Sequence, residues 1–436
     1  MKARGAAPCA ACLTIFLAFV PLRAAGPEAI LLRGATVHPV SGPDIPDGSV
    51  LMRDGKIAEV GARIAPPKGA RVIDLKGLHI YPGMIDSATE IGLTEIEAVR
   101  EMSDISDIGL FKPQLRAATA VNPASEHIPV TRANGITSVI TSPGGGIVAG
   151  QSVLMHLNGW TMEDMAIRAP AAMRMEFPRI RMPSRFFASE APETPGRASA
   201  YTEAKKRYEQ QLRQLNDFMD SARRYRQAKA AAGPDFETDL KLEAMIAVLD
   251  GKVPMLIRAE KEKTIKEAIA FADTQKVHMI LERGTEAWKV AADLKAHNIP
   301  VILPPTLRLP DEEDDPYDKP FSIPGELWKA GVKFAFATFG PGDEDNPRNL
   351  PYEAAAAVGF GLPYDVALKA VTLYAAEIWG VDGELGSIEK GKWADLIVTD
   401  GDPLETRTQI KRMYIEGAPV DLENKHHRLY EKYLAR

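Results

Sequence analysis

The sequence predicts an α/β fold: a distorted (β/α)8 TIM-like barrel joined to a small β-sandwich assembled from both ends of the chain. Three observations carry this. Short, continuous apolar runs alternate with amphipathic stretches through the middle of the chain, the pattern of buried parallel strands separated by helices. Short strands broken by Asp-Gly and Lys-Gly turns recur before and after that region. The length of 436 residues exceeds one small core and suits a barrel with a satellite domain.

The elements follow in order. Residues 1–25 read as a cleaved signal peptide, because Lys2 and Arg4 precede an apolar stretch that ends in small residues at Ala24 and Ala25. That stretch falls short of the roughly 20 residues of a spanning helix, although a membrane anchor is the alternative reading. Export to the periplasm or the medium is expected, with no integral membrane segment after cleavage. Both cysteines, Cys9 and Cys12, lie inside this segment. The mature chain would therefore lack thiols, which excludes disulfides, thiolate-bound zinc and a Cys nucleophile.

Residues 26–80 carry strands such as "GSVLMRDGKIAEVG" and "RVIDLKGLHI", and residues 380–436 repeat that grammar in "WADLIVTDGDP" and "IKRMYIEGAPV". Together they compose the sandwich. Residues 81–379 form the barrel, with strands expected at 135–142, 253–260, 277–284, 299–306 and 332–340. Function is expected at the C-terminal ends of those strands. Residues 197–231 read as a helical insertion, a long solvated helix or hairpin laced with opposite charges. The acidic stretch 310–320 lacks the ligand spacing of a calcium loop and reads as surface. A net charge of −6 gives no broad cationic face, so nucleic acid is not an expected partner.

Three separated motifs, "GATVHPVSGPDIPDGSVLMRDGKIAEVG", "VIDLKGLHIYPGMID" and "LGSIEKGKWADLIVTDGDP", occur with a barrel-sized interval before the last. In this order they resemble the amidohydrolase superfamily, in particular its imidazolonepropionase-like and dihydroorotase-like cyclic amidohydrolases. The resemblance implies a metal-dependent hydrolase of carbon–nitrogen bonds other than peptide bonds. It also implies a His-x-His pair after the Pro-Gly-x-Ile-Asp turn, two further His at later strand ends and an Asp on the last strand. Those groups would hold a divalent ion, which acidifies a bound water, and take its proton.

Here the corresponding positions are Ala88 and Glu90, then Arg258 beside Glu260, then Arg283, and finally Phe339. Arg does not lose its proton at ordinary pH and so does not ligate a cation. None of the eight His closes one of the expected barrel strands. The metal site is therefore expected to be degenerate, with no cofactor unless the implied activity holds. In that case a carboxylate set of Glu90, Glu260 and Asp343 would favour a hard divalent metal.

Glu90, Arg258, Glu260 and Arg283 are expected to line the mouth and to bind a small anionic ligand; no catalytic residue is assigned. Structural pairing of Glu90 with Arg283 and of Glu260 with Arg258 is the alternative. The Gly-rich stretch 141–152 fits no phosphate-loop spacing and reads as a tight rim turn. A non-catalytic binding or scaffolding subunit, as a homo-oligomer or beside a related amidohydrolase, is the competing class.

Overall fold

The structure is a computed structural model that describes residues 29–96, 98–182, 197–233, 235–339 and 346–436. The expected signal peptide and Asp343 lie outside the described residues. Five strands come first: β1 (Ile30–Val37), β2 (Ile45–Arg53), β3 (Lys56–Gly61), β4 (Arg71–Asp74) and β5 (His79–Pro82). Eight more follow as β6 (Met84–Thr89), β7 (Ile136–Thr141), β8 (Val148–His156), β9 (Ala166–Glu176), β10 (Met255–Ala259), β11 (Met279–Arg283), β12 (Val301–Leu303) and β13 (Phe334–Phe336). The chain then returns through β14 (Leu396–Thr399), β15 (Ile410–Ile415) and β16 (Ala418–Val420).

Strands from both ends share one sheet in the order β16-β15-β14-β5-β1-β2-β3, with β4 also paired to β1. The expected sandwich is thus one continuous sheet that curls over its own core. Leu32, Val50, Ile57, Ile80, Leu396 and Tyr414 meet inside it. The β2–β3 turn reaches the far edge, where Gly417 packs against Gly55 and takes a left-handed backbone with φ at +72° that favours glycine.

The second sheet runs β6 through β13 in sequence order. It closes where Phe339 N–H donates to Ala88 O at 3.3 Å. Asp86 seals the same seam. Its Oδ2 accepts from Thr338 Oγ1 at 2.6 Å and its Oδ1 from Thr338 N at 3.3 Å. The Pro-Gly before β6 has a packing cause: a Cβ on Gly83 would stand 2.7 Å from Thr137 Cβ, so only Gly lets β6 and β7 approach.

One departure from a regular barrel matters. β8 runs antiparallel to both β7 and β9. A short Gly-rich turn joins antiparallel neighbours but leaves no room for a crossover helix, so the stretch after Thr141 acts as the rim turn expected of it. β8 and β9 themselves were not among the expected strands. Ile85, Ile140, Leu154, Leu256, Ile280, Ile302 and Trp379 join the apolar cluster that fills the barrel.

The segment 197–231 is a single helix, Arg197–Ala231, rather than a hairpin. It is also less solvated than expected, since Leu215, Met219 and Ala222 are fully buried, one stripe at helical spacing. In the acidic stretch, Glu312 pairs with Lys261 and Asp311 with Arg308. Among the described residues, no helix is long and apolar enough to cross a membrane.

Candidate active site at the barrel mouth

Strand alternation turns Leu256 and Ile280 into the barrel, so Arg258 and Glu282, two residues on, also face its axis near the C-terminal rim. On β9, Ala172 faces inward and Arg174 follows by the same alternation. Arg174 and Glu282 form a buried pair, with Arg174 Nε donating to Glu282 Oε2 at 3.1 Å. Arg174 Nη1 also donates to Pro143 O at 3.0 Å. Burial lowers the guanidinium's affinity for its proton, and Glu282 more than reverses this, so its pKa lies above the ordinary value.

A second cluster centres on Glu260. Arg258 donates to its Oε1 from Nε at 3.2 Å and Nη2 at 3.0 Å, while Arg179 donates to Oε2. Burial raises the pKa of Glu260, but Arg179, Arg258 and Arg283 together outweigh it and leave the carboxyl below its usual range. Arg283 approaches the same carboxylate with Nη1 at 3.5 Å, too far for a hydrogen bond.

Arg283 departs most from ordinary geometry. It ends β11 with φ at +75°, and Gly284 N–H donates to Glu282 O at 3.2 Å, a γ-turn with positive φ at its centre. Such a backbone strains any residue with a side chain, and strain of this kind collects at functional sites. Leu281 packs outward in the core cluster between strands and helices, and alternation would send Arg283 the same way. The turn instead brings it toward Glu260 and the ring of Phe339.

Arg283 is 2% exposed, and neither Nε nor Nη1 has a hydrogen-bond partner among the described residues. Burial and then the like charge of Arg258 push its pKa down to about 10. A guanidinium stays charged at that value in neutral solution, so the shift marks a cation whose charge is poorly met.

The expected residues do not all pair as anticipated. Glu260 does pair with Arg258. Glu90 does not pair with Arg283; it adds its charge to Arg174, and its Oε1 would lie 3.9 Å from a Cβ on Gly144, beside Arg174 Nη1 at 3.8 Å. The reason is topological, since β6 and β9 flank the rim turn from one side while β11 approaches Glu260 on β10. Ala88 is buried in the seam and Phe339 sits at the mouth with the Arg174 and Arg283 guanidinium carbons each 5.4 Å from its ring centroid. Both distances suit cation–π attraction.

Arg174, Arg179 and Lys112 were not anticipated. Lys112 is 2% exposed and donates from Nζ to Asp107 O at 2.8 Å and Gly144 O at 3.2 Å. The rim turn thus offers carbonyls to two cations rather than N–H groups to a phosphate. The signal for Arg174 lay in "AIRAPAAMRME", where Met173 and Met175 flank it, but Pro170 and the three charges Arg168, Arg174 and Glu176 hid the strand.

At the opposite end of the barrel lies a second buried ionic contact. His156 closes β8, yet β8 is reversed, so His156 sits at the floor rather than the mouth. Its Nε2 is 2.8 Å from Asp395 Oδ2, and both side chains are almost fully buried. Asp395 Oδ1 accepts from Glu416 N at 2.8 Å and Asp395 O from Gly83 N at 2.9 Å, so the contact ties the barrel floor to the composite sheet. Burial opposes protonation of His156, and Asp395 overrides it to raise the pKa. His38 and His79 are likewise not isolated, being 2.9 Å apart at Nε2 and Nδ1 on the composite sheet.

A closed barrel with a charged C-terminal mouth and a composite sheet at its floor defines a class of enzyme scaffold, and sequence comparison fixes the family. The amidohydrolase family model matches residues 80–420. The chain belongs to the amidohydrolase family, hydrolases of carbon–nitrogen bonds. It is 26% identical to an imidazolonepropionase of Sphingopyxis alaskensis over 83% of this chain and 88% of that protein. It is 25% identical to amidohydrolase tasK of Hapsidospora irregularis over 87% of this chain, but spans only 41% of tasK. The crystal structure of an amidohydrolase from Thermotoga maritima MSB8 superposes with a TM-score of 0.78 at 29% identity, covering 90% of this chain and 99% of that one.

Proposed function

We propose that the barrel mouth is a metal-independent site that binds a small carboxylate, gripped by Arg283 and Arg258. One observation carries the reading: a buried guanidinium held by a strained turn, with two donor nitrogens that have no hydrogen-bond partner among the described residues. A buried cation in that state is expensive, and an anion offering two oxygens would meet it in the bidentate geometry guanidinium favours. The donor set argues against the divalent ion that the family resemblance implies. Of the positions compared, Ala88 and Phe339 offer no donor, Arg258 and Arg283 are cations, and the Glu260 and Glu282 carboxylates are engaged by arginines. Among the described residues, no group of three or more His, Cys, Asp or Glu is placed to hold a metal.

The test is calorimetric titration of the full-length mature protein with acetate through pentanoate, alongside elemental analysis. Saturable binding that disappears in Arg283→Met, with substoichiometric transition metal, is expected. Stoichiometric zinc, or binding indifferent to Arg283→Met, would overturn the reading. Export belongs to the same proposal and rests on residues 1–25; recovery of the uncleaved chain in the cytoplasmic fraction would count against it.

A further inference from the structure

We infer that the mouth is built for a carboxylate that also carries an N–H donor, with Arg283 receiving the carboxylate and Glu282 the N–H. This rests on the reading of the mouth as an anion site and narrows its ligand. The observation behind it is a pair of opposite, unmet demands on consecutive residues. Glu282 is 1% exposed and its Oε1 has no hydrogen-bond partner among the described residues, while its Oε2 is held by Arg174. Arg283, next in sequence, has the two unmet donors described above.

Other buried polar atoms among the described residues also lack hydrogen-bond partners, His156 Nε2 and Asp395 Oδ2 included, but those two face each other at 2.8 Å. Glu282 Oε1 and Arg283 Nε have no such contact, and an acceptor and donors left open on adjacent residues point to a ligand that brings the complement of each. A simple carboxylate would satisfy Arg283 and leave Glu282 Oε1 stranded; a simple amine or amide would do the reverse. One ring joins the two halves. Phe339 lies equidistant from the guanidinium of Arg283 and from that of Arg174, the partner of Glu282, so both demands fall around a single side chain. The γ-turn at Arg283 supplies the reason they converge, because it folds the end of β11 so that successive side chains both serve the mouth instead of opposite faces.

A matched pair of probes reads this directly. N-acetylglycine and 4-oxopentanoate share size, carbonyl and carboxylate and differ in one group, N–H against CH2. A site with a buried acceptor rejects the analogue that leaves it unpaired, so calorimetry on the wild-type protein should give N-acetylglycine at least a tenfold lower Kd. The double substitution Arg174→Met/Glu282→Met removes the acceptor together with its partner charge and should bring that ratio to within threefold. Equal affinity of the wild type for the two probes, or a preference that survives the double substitution, would overturn the inference while leaving the anion site standing. Binding of neither probe would overturn both.

Discussion

The two ends of the barrel bury charge in different ways. At the floor, His156 Nε2 and Asp395 Oδ2 have no hydrogen bond of good geometry among the described residues but face each other at 2.8 Å as an ion pair. The other carboxylate oxygen accepts from the backbone of Glu416, and the Trp393 ring lies 5.3 Å from the imidazole, centroid to centroid. At the mouth, Arg174–Glu282 and the Arg258–Glu260–Arg283 group leave one acceptor and two donors without a hydrogen-bond partner among the described residues, the closest ionic contact of Arg283 Nη1 being Glu260 at 3.5 Å. Both sites pay for desolvation, but only the floor has a stability role that needs nothing else: it docks the composite sheet onto the barrel. What separates the two ends is the pairing distance and the backbone: the floor atoms meet at 2.8 Å, whereas Arg283 Nη1 stays 3.5 Å from Glu260 and is held by a backbone with φ at +75°.

Four variants test the contrast, from the largest expected effect to the smallest. Arg174→Met leaves Glu282 as an uncompensated buried charge and is expected to destabilise by about 3–5 kcal/mol in urea unfolding. Arg174→Met/Glu282→Met should recover most of that loss, since an ion pair replaced by apolar groups of similar volume is often neutral. A single substitution tolerated within about 1 kcal/mol would show that the mouth pair is not desolvated.

His156→Gln sharpens the other side. The pKa of His156 is raised in the folded state, so the stabilisation from its charge is fully present below the ordinary value of 6.5 and is lost as pH rises through the raised value. The stability gap between wild type and His156→Gln is therefore expected to be largest in mild acid, about 1–3 kcal/mol, and to shrink in alkaline solution. A gap that widens with pH would mean that His156 is buried neutral.

Arg283→Met carries the smallest effect and the opposite sign. Removing a guanidinium with unmet donors and a like-charged neighbour should stabilise the ligand-free protein by about 1 kcal/mol, while binding of carboxylates is lost. Destabilisation instead would show that Glu260 meets the charge at 3.5 Å and that the turn is structural.

Much of the site was legible in the chain because strand alternation and the Pro-Gly-Met-Ile-Asp turn fix which residues end each strand. Glu90, Arg258 and Glu260 lie at or just past the ends of β6 and β10, whereas alternation alone would turn Arg283 away from the mouth. The pairing among them was not legible. It depends on which strands are neighbours, and β8 and β9 went unread because their apolar content is diluted by Ala, Gly and Arg; with β9 unseen, Arg174 had no place and Glu90 was matched to the wrong partner.

The sequence by itself determined the barrel, the composite sheet from the two ends and the family, since each follows from local periodicity or from motifs in the residues themselves. Only the tertiary structure decided that the sandwich is one curled sheet, that His156 faces the floor, and that Arg283 turns into the mouth. The physical reason is that hydrogen-bond pairing between distant strands and a single positive φ set side-chain direction, and neither is encoded in the spacing of apolar residues.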